Sequence, residues 1–156
     1  MNLLSIDPGT HCGWASSSKG HVESGVHEFA LGRGDSPGMR FLRFRNWFAD
    51  MLTMTAPGLV IYERPHMRGG FATDLLVGFV TRIQEACAER GIECEAVHSA
   101  TLKKSATGSG RAGKDIMKLA AAQRFGKLVE SDDEADALNL LWMAMQENKE
   151  TPKEKA

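Results

Sequence analysis

The chain has 156 residues, 42% of them hydrophobic, enough to bury one core but with no room for two lobes of ordinary size. Its cysteines, Cys12, Cys87 and Cys94, are odd in number and lack C-x-x-C spacing, which excludes a disulfide framework and a zinc site. No run is long and apolar enough to span a bilayer, and the start lacks the basic and apolar regions of a signal peptide, so a cytoplasmic chain with reduced thiols and no membrane partner is expected.

Leu3, Leu4 and Ile6 form an apolar run that ends at Asp7 and meets Pro8-Gly9, which predicts a buried strand delivering a carboxylate to a tight bend. Two further strands, Trp14 to Ser17 and His21 to Phe29, joined by Ser18-Lys19-Gly20, make an antiparallel edge beside it. Gly32 to Gly38 is a loop in which Ser36 is placed to cap a helix with Pro37 at its first position. Phe41, Phe44, Phe48, Met51 and Leu52 then recur at helical spacing, a core stripe rather than a platform for stacking bases. Pro57-Gly58 stops that helix. Leu59 to Tyr62 is a second apolar strand, and it too ends at an acid, Glu63.

A loop from Arg64 to Gly70 contains Pro65, His66 and Arg68 and is followed by Phe71. An amphipathic helix is expected from about Thr73 to Arg90, closed by Gly91, with an apolar arc wide enough to cover the sheet and meet a second subunit. After a strand at Cys94 to Val97, Ser99 to Gly113 reads as a polar, basic loop running into a helix from Lys114 to Phe125, stopped by Gly126. Such a loop at a helix start suits phosphate contact, although the Walker spacing is absent.

The formal net charge of −1 hides a segregation: Lys103, Lys104, Arg111, Lys114 and Lys118 are opposed in their stretch by Asp115 alone, whereas Glu130 to Asp136 holds five acids and no base. The last helix begins near Asp132, where Ser131 and Glu134 form an S-x-x-E capping box. Asp133 and Asp136, three residues apart, share a face with Leu140 and Met143 and turn inward. Residues 1–148 are read as one domain and 149–156 as a charged flexible tail.

Asp7 and Glu63 at two strand ends, with Asp133 and Asp136 on a late helix, would repel one another in a partly dry site unless cations were present. Oxygen-only ligands favour a hard ion, and Mg²⁺ fits because it keeps waters and completes its shell from phosphate oxygens. Two such ions, about 3.5–4 Å apart, are the arrangement that supports in-line phosphodiester displacement, and Mn²⁺ is expected to substitute.

The segments LSIDPGTHCGWA, VIYERPHM, GSGRAGKDIM and DEADALNLLWMA resemble, in order and over nearly the whole chain, the four motifs of the RuvC family of Holliday junction resolvases in the ribonuclease H superfamily. The resemblance implies an α/β, ribonuclease H-like fold, with a central mixed five-stranded sheet flanked by helices. It also implies a metal-dependent endonuclease cutting four-way junction DNA as a homodimer paired through the helix near 73–90, in a bacterial cell or a phage-infected host. By the same resemblance Asp7, Glu63, Asp133 and Asp136 are the metal-binding catalytic acids, with Asp132 as the alternative to Asp133, and Lys114 lies near the scissile phosphate. Arg64, His66, Arg68, Phe71, Lys103, Lys104, Arg111, Lys114 and Lys118 are the expected DNA contacts. Where bacterial members usually carry an aromatic residue after the catalytic Glu, this chain has His66, with Phe71 a few residues on; phage-encoded members accept a wider range of branched DNA, and a resemblance to them implies the same breadth here.

Three other readings fit parts of the chain. An actin-like ATP-binding domain also opens with strand-Asp-x-Gly-Thr but needs two lobes. The YqgF-like branch tied to RNA processing shares the first motif but not the lysine-rich loop and late D-x-x-D-A-L. A non-catalytic junction-binding module would gain nothing from four mutually repelling acids.

Overall fold

The first strand is buried on both faces, and the alternation of its side chains between them decides the layering of the molecule. The structure, a computed structural model, describes residues 1–64 and 69–150. Strands β1 (Leu3–Asp7), β2 (His11–Ser18), β3 (His21–Glu28), β4 (Leu59–Arg64) and β5 (Glu93–His98) form one sheet in the order β3-β2-β1-β4-β5. The three N-terminal strands are antiparallel neighbours, while β4 and β5 continue parallel to β1, so the sheet is mixed and five-stranded as expected.

Alternate residues point to opposite faces of a strand. Leu4 and Ile6 of β1, with Val60 and Tyr62 of β4, pack against α1 (Gly38–Thr55) and α2 (Gly70–Arg90) through Phe44, Phe48, Phe79 and Ile83. Leu3 of β1, with Leu59 and Ile61 of β4, lies on the other face under α3 (Ser99–Thr107), α4 (Lys114–Phe125) and α5 (Asp132–Glu150). Asp7 and Glu63 continue the parity of that second group, so both aim at the α5 face. Buried Ser5 joins the layers there, its hydroxyl donating to the Ala137 carbonyl of α5 at 2.6 Å.

The aromatic stripe of α1 is core: Phe44 and Phe48 are fully buried, and the Phe44 and Phe79 ring centroids are 4.9 Å apart. α1 and α2 meet closely because Gly78 has no side chain, since a Cβ there would lie 2.3 Å from the Phe41 ring.

Some details differ from the sequence expectation, and β2 already begins at His11, three residues before Trp14. Residues 99–107 are helix rather than loop, because Ser99, Leu102 and Ala106 form a buried stripe at helical spacing and only left-handed Gly108 ends it. Helix α2 starts at Gly70, three residues earlier than expected, after a left-handed turn at Gly69. Helix α1 starts at Gly38 without a side-chain cap, the turn being closed by the Met39 N–H on the Ser36 carbonyl. Ser131 does accept the Glu134 N–H at 3.3 Å, but the Glu134 carboxylate bonds to Ser24 and Lys127 instead of returning to Ser131, so the capping box is half formed. Among the described residues no helix is long and apolar enough to cross a membrane.

Candidate metal centre and nucleic-acid face

The parallel pairing of β1 with β4 sets Ile6 beside Tyr62, so Asp7 and Glu63 emerge next to each other at the carboxyl ends of adjacent strands. This is where α/β sheets place their sites. Asp136, from the second turn of α5, completes a group in which each residue offers an oxygen within 4.8 Å of the others. Asp133, one turn earlier, stands close enough to share a hydrogen bond with Asp7. The four sequence-predicted acids are thus brought together, three as a tight set and Asp133 beside Asp7.

What lets α5 come so near is Gly13, opposite Asp7 in the β1–β2 ladder. A Cβ on Gly13 would fall on the Asp133 carbonyl, 1.9 Å from its oxygen. The helix start therefore rests directly on β2, and the Asp133 side chain arrives at Asp7.

The electrostatics show what this crowding costs. Burial, then the charges of Glu63, Asp136 and Asp133, hold the Asp7 carboxyl well above the usual range. Burial, then the charges of Glu63, Asp133 and Asp132, push Asp136 up to about 7, with Lys103 partly offsetting the rise. The buried thiol of Cys12 is raised by burial and by Asp7 and Asp133. An oxygen-only set of carboxylates this close, reluctant to ionise alone, fits hard divalent cations, which would restore the ionised form.

A pH dependence follows. A carboxyl raised in the folded state binds more protons there than in the unfolded chain, so its contribution to stability is full at low pH and is lost as pH climbs through its folded value. The chelated protein should melt lower at pH 8 than at pH 5 by roughly 4–8 °C, corresponding to about 2 kcal/mol for a domain of this size. Millimolar Mg²⁺ should remove most of that loss. Thermal melts at both pH values, with and without metal, check this; a flat or rising trend in chelator would mean the acids are not crowded.

Beside the acids lies a cleft of about 390 Å³ between α3, the 108–113 loop, α4 and the start of α5, lined by Lys103, Lys114, Asp132, Asp133 and Asp136 among others. Lys114 is mostly exposed and its Nζ sits 3.3 Å from Asp132, which also holds Lys118 at 3.5 Å. Asp132 is therefore the partner of two lysines as well as a favourable charge at a helix start. Lys104 and Arg111 are exposed and are not among the residues lining the cleft. Arg64 follows the parity of Tyr62 and lines a groove on the α2 side with Val77 and Gln84. Phe71 is 73% exposed at the start of α2. His66 and Arg68 lie outside the described residues.

Sequence reasoning missed Gly13 as the contact point for α5 and Lys103 as a cation whose charge reaches Asp136. The first had a signal in the Gly-Trp-Ala that follows the bend. The second was hidden because α3 was read as loop.

No protein-family model matches the chain. It is 27% identical over 152 residues to the crossover junction endodeoxyribonucleases RuvC of Corynebacterium efficiens and Corynebacterium glutamicum, covering 93% of this chain and 67% and 68% of theirs. Among solved structures, Thermus thermophilus RuvC superposes with a TM-score of 0.74 at 20% identity, over 94% of this chain and 97% of that one. T. thermophilus RuvC bound to a Holliday junction substrate gives 0.76 at 22% identity, over 90% of each chain. Fowlpox virus resolvase, also in complex with substrate Holliday junction DNA, gives 0.62 at 14% identity, over 95% of this chain and 99% of that one. The sheet order and helix placement described above are those of the resolvase fold.

Proposed function

We propose that this chain, a member of the RuvC family in sequence and in fold, is a metal-dependent endodeoxyribonuclease that resolves Holliday junctions by hydrolysing phosphodiester bonds. The observation that carries the reading is the meeting of Asp7, Glu63 and Asp136, with Asp133 beside them, at a cleft rimmed by lysines. The junction-bound relatives of like fold support the choice of substrate.

In this reading the four carboxylates hold two divalent cations, Mg²⁺ or in its place Mn²⁺. Bound there, the metal supplies positive charge that favours attack of water and departure of the leaving oxygen. Asp7 and Glu63, fixed by the sheet, provide the rigid half of the site, and Asp133 and Asp136 the half carried by α5. Lys103 and Lys114 face the cleft and neutralise the phosphate backbone, with Asp132 holding Lys114 in place until DNA arrives. Arg111 and Lys104 extend the basic surface beyond the cleft.

We further read the protein as a homodimer paired through α2, which carries exposed Val77 on its outer side and would set two active sites at symmetric positions for paired cuts. It would act in the cytoplasm of a bacterial cell or a phage-infected host.

The reading is tested with a synthetic four-way junction, a fork, a flap and a linear duplex, each with Mg²⁺, Mn²⁺ or chelator. Paired cleavage of the junction, lost in chelator, is expected; a junction left intact in both metals would overturn it. Lys103→Ala and Arg111→Ala should each weaken junction binding and lower the slope of log affinity against log salt by about one, because each lost phosphate contact releases one fewer counterion. Binding isotherms over a salt series give that slope, and an unchanged value would remove the residue from the interface.

A further inference from the structure

Ser24 on β3 and two side chains flanking the α4–α5 connection close a small polar ring at the start of α5. Ser24 Oγ on β3 donates to Glu134 Oε1 at 2.7 Å, Lys127 Nζ donates to Ser24 Oγ at 2.6 Å, and the same Nζ donates to Glu134 Oε1 at 2.9 Å. Lys127 follows the left-handed Gly126 that ends α4, and the Glu134 side chain is only 17% exposed. The ring is no nucleophilic dyad: Lys127 Nζ meets Ser24 Oγ as a hydrogen-bond donor and Ser24 donates to Glu134 instead, the reverse of what a base acting on Ser24 requires.

Glu134 immediately follows Asp133, whose carbonyl rests on Gly13. Consecutive helical residues point about 100° apart, so while Asp133 turns to Asp7, Glu134 turns to β3. A contact made there fixes the angle of the helix about its own axis. The acids ride at the rim of a cylinder of radius about 5–6 Å, where a rotation of ~10° already displaces a carboxylate by ~1 Å. Gly13 sets how closely α5 approaches the sheet, but a smooth glycine surface does not resist rotation.

We infer that Glu134, gripped by Lys127 and Ser24, is a positioning residue that sets the rotation of α5 and thereby aims Asp133 and Asp136 at the cations held with Asp7 and Glu63. This rests on the metal-site reading given above. The sign of two single substitutions separates alignment from simple charge. By Coulomb's law, removing the Lys127 cation should tighten binding of a divalent ion and removing the Glu134 anion should loosen it. If the ring aligns the helix, both loosen binding.

The test is calorimetric titration of Mn²⁺ into the full chain, wild type and variants, at a temperature where circular dichroism shows each folded. Glu134→Gln and Lys127→Met should each weaken affinity by about 10-fold, the size of effect seen when groups orienting metal ligands are removed. The double variant should cost no more than the larger single, because either change opens the same ring. Ser24→Ala, which alters no charge, should weaken affinity by a smaller factor, and Lys127→Arg should restore it to within about twofold of wild type. Should Lys127→Met not fold, Ser24→Ala and Lys127→Arg carry the test. Mn²⁺ binding as tight as or tighter than wild type in Lys127→Met, or unchanged in Ser24→Ala, overturns the positioning role alone. A wild type that binds no Mn²⁺ overturns the metal-site reading, and the positioning role with it.

Discussion

Asp7→Asn is expected to lower junction cleavage by a factor of about 10³ or more while leaving junction binding within a few-fold of wild type. Asp7 sits among the other three acids: its carboxyl is raised by Glu63, Asp136 and Asp133 together, and Asp133 also shares a hydrogen bond with it. Asparagine keeps the shape and loses the charge that, in the metal-site reading, would hold a cation. The lysines proposed to meet the phosphates stand on α3 and α4, apart from the substituted strand, so DNA affinity is expected to stay in place. The same substitution removes a buried charge that the metal-free fold tolerates poorly, so in chelator at pH 8 the variant should melt higher than wild type, with a flatter dependence on pH. Single-turnover cleavage, a binding isotherm and melts in chelator read the three effects on one preparation. Cleavage within tenfold of wild type would remove Asp7 from the chemistry.

Gly13→Ala should destabilise the protein by about 3 kcal/mol or more and reduce cleavage at least 10²-fold in whatever remains folded. The added Cβ meets the Asp133 carbonyl at 1.9 Å, with the Asp133 carbonyl carbon at 2.3 Å and the Glu134 nitrogen at 3.0 Å, all of them backbone atoms that no rotamer change can move. Relief requires lifting the first turn of α5 or pushing β2 away from β1. Either movement separates Asp133 from Asp7, since Gly13 and Asp7 are partners in the ladder. By contrast, Gly113→Ala should change little, because a Cβ there has nothing within 4 Å. Denaturant unfolding of the two variants gives the comparison, and equal stabilities would mean that α5 does not rest on Gly13.

Much of this protein was determined by local pattern. Leu3 to Asp7 and Leu59 to Glu63 declared themselves as buried strands that end in acids, because an apolar run of that length stopped by Pro-Gly or by a charge has few other uses. The helix carrying Asp133 and Asp136 was equally plain, since Ser131 marks its start and a spacing of three puts both acids on one face. The four motifs, in order, carried the family resemblance and with it the fold. Local chemistry also misled at Ser99 to Thr107, where serines, threonines and lysines look like a loop until Leu102 and Ala106 are seen buried against the core.

Only the tertiary structure decided how these pieces face each other. Parity along β1 and β4 sends Asp7 and Glu63 to the α5 side, but which helices cover that side is set by packing over more than a hundred residues of sequence, as the bond from Ser5 to Ala137 illustrates. The same distance hid the meeting of Gly13 with Asp133, the approach of Lys103 to Asp136, and the diversion of Glu134 from its expected cap to Lys127 and Ser24. Strand and helix signals are written in neighbours within one or two turns, whereas the distances that set a carboxylate's affinity for protons or cations arise from contacts between segments far apart in the chain. Residue types and their spacing therefore named the acids, and the fold alone fixed how close they come.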